Sequence, residues 1–164
     1  MIAKHRVISI MILLMCFILL KETSFAQANS ASTTVTDPNA VYVEFLGQSF
    51  AFLSFNYDRL LFRSNPDDNN IALRCGIGIG LPWYSIPVTV SYLSGRKHKL
   101  ELGAGLVYAE GGFDVHEKSI IPTALIGYRF QKFQGGFVFR IGITPFYKDE
   151  RIRLLAGLSL GYAF

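Results

Sequence analysis

The segment Leu158–Phe164 reads L-S-L-G-Y-A-F, and its reading decides the fold. Leu158, Leu160, Tyr162 and Phe164 fall on one side of an extended chain, and Ser159, Gly161 and Ala163 on the other, which is the two-residue period of a strand. The same pattern recurs in A-F-L-S-F-N-Y ending at Tyr57, in I-P-V-T-V-S-Y ending at Tyr92 and in A-L-I-G-Y-R-F around Tyr128. The four tyrosines stand 35, 36 and 34 residues apart. Such an interval holds two strands of ~10 residues and their connectors, which is one hairpin. An aromatic at the same end of every second strand is what a membrane-spanning barrel requires at one water–lipid boundary.

Working outward from these segments, the alternation predicts strands over 41–47, 50–61, 70–80, 86–93, 99–109, 120–131, 136–145 and 152–164. The intervening G-Q-S, S-N-P-D-D-N-N, G-L-P-W-Y, S-G-R-K, A-E-G-G-F-D-V-H-E-K, Gln131–Gly135 and Y-K-D-E stretches carry turn residues. No stretch sustains a helical period. The expected fold is all-β, an eight-stranded antiparallel up-and-down transmembrane barrel. An even strand number returns both ends to the same side of the membrane.

The N-terminus has the form of a secretory signal. Lys4 and Arg6 precede an apolar run from Val7 to Leu20, followed by small residues. The run is shorter than the ~20 residues that a helical span needs. Cleavage is expected after Ala26, with Ala28 as the alternative. The chain therefore divides into a signal peptide (1–26), a Ser/Thr/Asn-rich flexible leader (27–40) and the barrel (41–164). Without 1–26 the chain keeps 13 basic and 11 acidic residues, a net charge of about +2, so the basic pI of the full chain does not indicate nucleic acid. One cysteine, Cys75, remains, which excludes an intramolecular disulfide.

One face of every strand is apolar. Leu53, Phe55 and Tyr57, Ile86, Val88, Val90 and Tyr92, and Leu100, Leu102, Leu106 and Tyr108 exemplify it. The opposite face holds glycine, serine, threonine and charges. A soluble periplasmic ligand-binding barrel also alternates, but it keeps the large apolar side chains inside. Aromatics gather at strand ends instead. Tyr57, Tyr92, Tyr128, Phe130, Phe137, Tyr162 and Phe164 form a periplasmic girdle, and Trp83, Tyr84, Tyr108, Phe146 and Tyr147 an outer one. Glycines 76, 78, 80, 103, 105, 127, 142, 157 and 161 fall on the polar face, where close approach inside a narrow lumen gives them a purpose.

Six ionisable residues share that polar face: Glu44, Asp58, Arg74, Glu101, Arg129 and Arg140. They lie near the periplasmic ends of their strands and are expected to form one paired layer, since buried charge is costly unless partnered. An ion or proton path is the sharper alternative. Eight strands leave an interior filled by side chains, which argues against an open pore. Phe50 and Phe52 are expected to help fill the lumen above the layer.

Candidate chemistry is sparse. His98 sits in a K-H-K turn. His116, with Ser119 and the nearby Asp114 and Glu117, could be read as a serine–histidine–carboxylate set at the outer rim, which makes a lipid-modifying enzyme the alternative function. Those acids and His116 could also ligate a metal, but one loop supplies them all. No phosphate-binding glycine loop, H-E-x-x-H or C-x-x-C is present. No cofactor, metal or nucleic-acid partner is expected.

S-F-N-Y-D-R-L-L, Y-L-S-G-R-K-H-K-L-E-L-G-A-G, I-G-Y-R-F-Q, G-G-F-V-F-R-I-G-I-T-P and A-G-L-S-L-G-Y-A-F together carry a resemblance. The chain resembles small outer-membrane β-barrel proteins of the Bacteroidetes, in the broad OmpA/OmpX-like eight-stranded class. The resemblance implies a Gram-negative outer-membrane location with outer-membrane lipids around the barrel. It also implies that periplasmic chaperones and the barrel-assembly machinery handle the chain, with Tyr162 and Phe164 as the C-terminal assembly signal. The expected role is a non-enzymatic structural or surface component that meets other molecules through loops 80–85, 109–119 and 146–151. The short G-Q-S connection departs from relatives with protruding strands and weakens an adhesin role.

Overall fold

The computed structural model describes residues 39–63, 69–80, 83–111, 118–132, 135–148 and 150–164. Eight strands follow in chain order: β1 (Asn39–Leu46), β2 (Leu53–Arg63), β3 (Asn69–Gly80), β4 (Trp83–Ser94), β5 (His98–Glu110), β6 (Lys118–Gln131), β7 (Gly136–Lys148) and β8 (Arg151–Ala163). Each pairs antiparallel with the next, and β8 returns to β1, closing a barrel of the expected class. The expected signal peptide, the leader up to residue 38, and Asp114, His116 and Glu117 lie outside the described residues.

The alternation sets which side chains face out. Ile77, Leu100 and Ile126 stand on the outer surface at 54, 54 and 56% exposure, while Arg74 and Glu101 on the inner rows are 1% exposed. Water would penalise such an apolar outside, so this burial is inverted relative to a soluble barrel and suits a lipid solvent. Glycines on the inner rows give neighbouring side chains room. A Cβ at Gly161 would strike the Val41 carbonyl and the side chain of Tyr42, and one at Gly103 would come within 2.8 Å of Ser91 Oγ.

Closure is completed at the chain end. The Phe164 N–H donates to Asn39 O at 3.0 Å, and the Asn39 N–H donates to Phe164 O at 3.3 Å.

β1 is the exception to regular strand length. It has 8 residues where the other strands have 11 to 14, short of the ~9–11 residues a tilted strand uses to cross a bilayer. The chain does not make the outward G-Q-S hairpin turn expected from sequence. Leu46 and Phe50 adopt positive φ, 57° and 58°, and between them Gly47–Ser49 forms a 3₁₀ turn that dips into the barrel. Gln48, Ser49 and Ala51 are fully buried. The Leu46 N–H donates to Phe52 O at 3.1 Å and ties the base of the loop. β2 consequently begins at Leu53 rather than residue 50. An outward hairpin would leave a lumen lined by glycine and serine without side chains to fill it, and interiors are close-packed.

Candidate functional site

The site with the most chemistry is the interior of the barrel, where β2, β3, β5, β6 and β7 each supply a charge. Arg74 on β3 donates from Nε to Asp58 Oδ1 at 3.1 Å and from Nη2 to Glu101 Oε1 at 2.7 Å. Arg129 on β6 reaches across the lumen to Asp58 Oδ2 on β2 at 2.5 Å. Arg140 on β7 grips Glu101 with two nitrogens, Nε at 2.8 Å and Nη2 at 3.1 Å. Arg129 and Arg140 are register partners, yet they diverge to different carboxylates, which offsets their mutual repulsion. Planar forks meeting carboxylates in this way form the stronger class of hydrogen bond.

Glu44, the sixth residue of the predicted layer, is buried beside the network without an ion pair among the described residues. Ser54 Oγ, at 3.5 Å, is its hydrogen-bond partner. Tyr42, which the sequence reading did not single out, sits at the centre. Its hydroxyl donates to Asp58 Oδ1 at 2.7 Å, and its ring lies 5.3 Å from the Arg74 guanidinium and 4.8 Å from that of Arg140. Two cations on one ring supply further attraction where water is excluded. The signal was available, because Tyr42 shares the strand parity of Glu44.

The loop after β1 forms a second tier. Gln48 Oε1 accepts from Arg74 Nη1 at 2.9 Å, and its Nε2 donates to Thr123 Oγ1 on β6 at 3.2 Å. Ser85 Oγ donates to the Ser49 carbonyl at 2.5 Å. Phe50 packs on Phe146 with ring centroids 4.5 Å apart. Phe52, expected in the lumen, is instead turned outward at 71% exposure. Thr89, Ser91 and Thr144 hydroxyls and the Asn56 and Asn70 side-chain carbonyls find no partner among the described residues, so part of the lumen is polar without being networked.

Of the periplasmic girdle residues, Tyr92, Tyr128, Phe137, Tyr162 and Phe164 are exposed on the outer surface, while Tyr57 is half-buried and donates its hydroxyl to Asn39 Oδ1 at 2.8 Å. Tyr128 also hydrogen bonds His98 Nδ1 at 2.5 Å, and the two rings stack. His98, read as a turn residue, is the first residue of β5 on the outward row. At the outer end Tyr84 and Tyr108 both donate to Glu110 Oε2, at 2.5 and 2.7 Å. Trp83 and Phe146 depart from the expected outer girdle. Both fall on inward rows, Trp83 with Ser85 and over Gly80, and Phe146 with Arg140 and Thr144. A shift of one residue changes face, and the estimated strand ends at these positions lay in turn sequence.

Ser119 is half-buried at the start of β6. Among the described residues no group of three or more His, Cys, Asp or Glu is placed to hold a metal ion. Cys75 is a free thiol on the outward row. Asp58 accepts from Arg74, Arg129 and Tyr42, and Glu101 from Arg74 and Arg140, so these two carboxylates tie the wall together, while Glu44 accepts from Ser54 Oγ.

Fold and interior define a class: a closed, eight-stranded antiparallel barrel with an apolar outside and an ion-paired inside. Solved structures share this architecture. The N-terminal β-barrel domain of OprF from Pseudomonas aeruginosa superposes with a TM-score of 0.52 at 17% identity, over 77% of this chain and 95% of that one. The Yersinia pestis outer membrane protein Ail superposes with a TM-score of 0.50 at 12% identity, over 78% of this chain and 99% of that one. At such identities the likeness is one of fold. No family model matches the sequence, and no curated protein matches it.

Proposed function

We propose that the chain is an integral outer-membrane β-barrel protein of the OmpA/OmpX-like type, with a closed lumen and a structural or surface role rather than an enzymatic one. The observation that carries this reading is the inverted burial: exposed Ile, Leu and Phe outside and buried Arg–carboxylate pairs inside. The expected signal peptide and the alternation running to Phe164 support the location, as does the barrel shared with OprF and Ail. Outer-membrane lipids are then its solvent, and periplasmic chaperones with the barrel-assembly machinery its partners on the way there. The outer loops are its contact surface. The two tiers in the lumen oppose passage of solutes, so the protein acts at its ends and its lipid face.

The test is migration on SDS gels of protein taken from a purified outer-membrane fraction, unheated and boiled. The expected outcome is a mobility difference, because closed barrels resist the detergent until heated. Recovery from the soluble periplasm with no shift would overturn the proposal and return the soluble binding barrel.

A further inference from the structure

The periplasmic rim is basic in a way that the lumen does not use. Among the described residues its outer surface carries Arg59, Arg96, Lys97 and Lys132 and no Asp or Glu; the acids of the flanking sequence, Asp37, Asp67 and Asp68, lie outside them. Two of these cations, Lys97 and Lys132, are brought to adjoining strand ends by backbone geometry. The β4–β5 turn is strapped to the end of β6, because Gln131 N–H donates to Lys97 O at 2.9 Å. From inside, Lys99 Nζ donates to Gly95 O at 2.9 Å and holds the same turn. Lys97 and Lys132 are both exposed.

Height in the membrane follows from their neighbours. Tyr128 and Phe130 lie on the outward row of β6, Lys132 follows just beyond its end, and His98 stacks on Tyr128 and lies 5.4 Å from Phe130. Aromatic rings of this kind settle at the lipid–water boundary. Lys132 is two residues beyond Phe130, roughly 7 Å along the chain, which is the level of the lipid phosphates. A lysine there is a point charge with three donors, suited to a phosphate oxygen.

We infer that Lys97 and Lys132, beside the His98–Tyr128 pair, form a binding site for the phosphate of an anionic phospholipid in the inner leaflet. The inference rests on the membrane orientation proposed above. Fixed cations at this depth concentrate anionic headgroups around one sector of the barrel, and the field falls off within a Debye length, so salt weakens it.

The experiment uses the full chain refolded in phosphatidylcholine vesicles with a minority of phosphatidylglycerol. The relative association of spin-labelled phosphatidylglycerol over phosphatidylcholine is read by electron paramagnetic resonance. Selectivity for the anionic lipid is expected, falling by roughly tenfold in Lys97→Glu/Lys132→Glu and also in high salt. A milder Lys97→Gln/Lys132→Gln variant should fall part of the way, and Lys118→Glu at the opposite end should change nothing. Equal selectivity in wild type and the double variants overturns the inference, as does loss in Lys118→Glu alone. A rim that instead co-sediments with purified peptidoglycan, without lipid selectivity, overturns it in favour of an acidic polymer. Heat-modifiable migration of each sample separates the two readings: a folded barrel without selectivity removes this site alone, and failure to fold in any bilayer removes the membrane barrel itself.

Discussion

The lumen is filled in two different ways at its two levels. The ion-paired level draws on five strands for its charges, with Tyr42 from β1 beneath two of the arginines. The level reached by the β1–β2 loop depends on one short segment, with Gln48, Ser49 and Phe50 doing the filling. A distributed network locks the wall circumference, because its bonds tie neighbouring β2 and β3, reach from β3 and β7 to β5, and cross the lumen from β6 to β2. A single inserted loop fills the same volume but can leave without breaking any strand pairing. The barrel thus has a rigid storey and a removable one, joined at Arg74, whose Nη1 reaches up to Gln48 while its other nitrogens hold the carboxylates.

The largest effect is expected where the rigid storey is cut. Arg140→Glu places a carboxylate against Glu101 and removes a two-nitrogen grip, and breaking a buried pair costs about 3–5 kcal/mol. The unfolding midpoint in urea, measured in bilayers, should fall accordingly. The exchanged pair Arg140→Glu/Glu101→Arg should recover only part of the loss, since Arg74 also uses Glu101. A single variant with an unchanged midpoint would mean that the layer does not hold the wall, and the contrast between storeys would vanish.

A smaller loss is expected in the removable storey. Gln48→Leu keeps the volume but leaves Arg74 Nη1 and Thr123 Oγ1 short of a partner, at a cost of about 1–3 kcal/mol. Thr123→Val alone should cost less, because Gln48 then loses only its weaker, 3.2 Å bond. If Gln48→Leu proved as damaging as Arg140→Glu, the two levels would form one network and the comparison would need redrawing.

The two storeys also differed in how far sequence revealed them. The wall was legible, because a period of two assigns every residue to a face once one strand is placed, and Leu158–Phe164 placed it. Asp58, Arg74, Glu101, Arg129 and Arg140 share the inner face by that parity, although which arginine meets which carboxylate depends on reach across the lumen. The loop was not legible. G-Q-S has the composition of an ordinary hairpin turn, and nothing local signals that Gln48 faces Arg74, twenty-six positions away. Its inward course is fixed by lumen volume, a property of the closed barrel. Phe50 and Phe52 broke the alternation just after the turn and were the one visible hint. Trp83 and Phe146 were misplaced for a related reason, since parity is unreliable where a strand runs into turn sequence.

The smallest effect, and the one of opposite sign, concerns the hinge between the storeys. Leu46 holds φ 57° and ψ −146°, close to a region that is otherwise nearly reserved for glycine. Its side chain is 43% exposed, so little of its packing is at stake. Leu46→Gly therefore removes strain and little packing, while glycine's extra freedom in the unfolded chain returns some of the gain. The net expectation is a rise of about 0.5–1 kcal/mol in stability, read as a higher urea midpoint in the same bilayers. Phe50, at φ 58° and ψ 1°, offers the contrast within one loop. Phe50→Gly relieves a similar backbone but forfeits the ring packed on Phe146, so it should lower the midpoint. Opposite signs at the two residues that flank one 3₁₀ turn would show that the insertion is held by its side chains against its backbone; a fall in both would show that Leu46 itself anchors the loop to the wall.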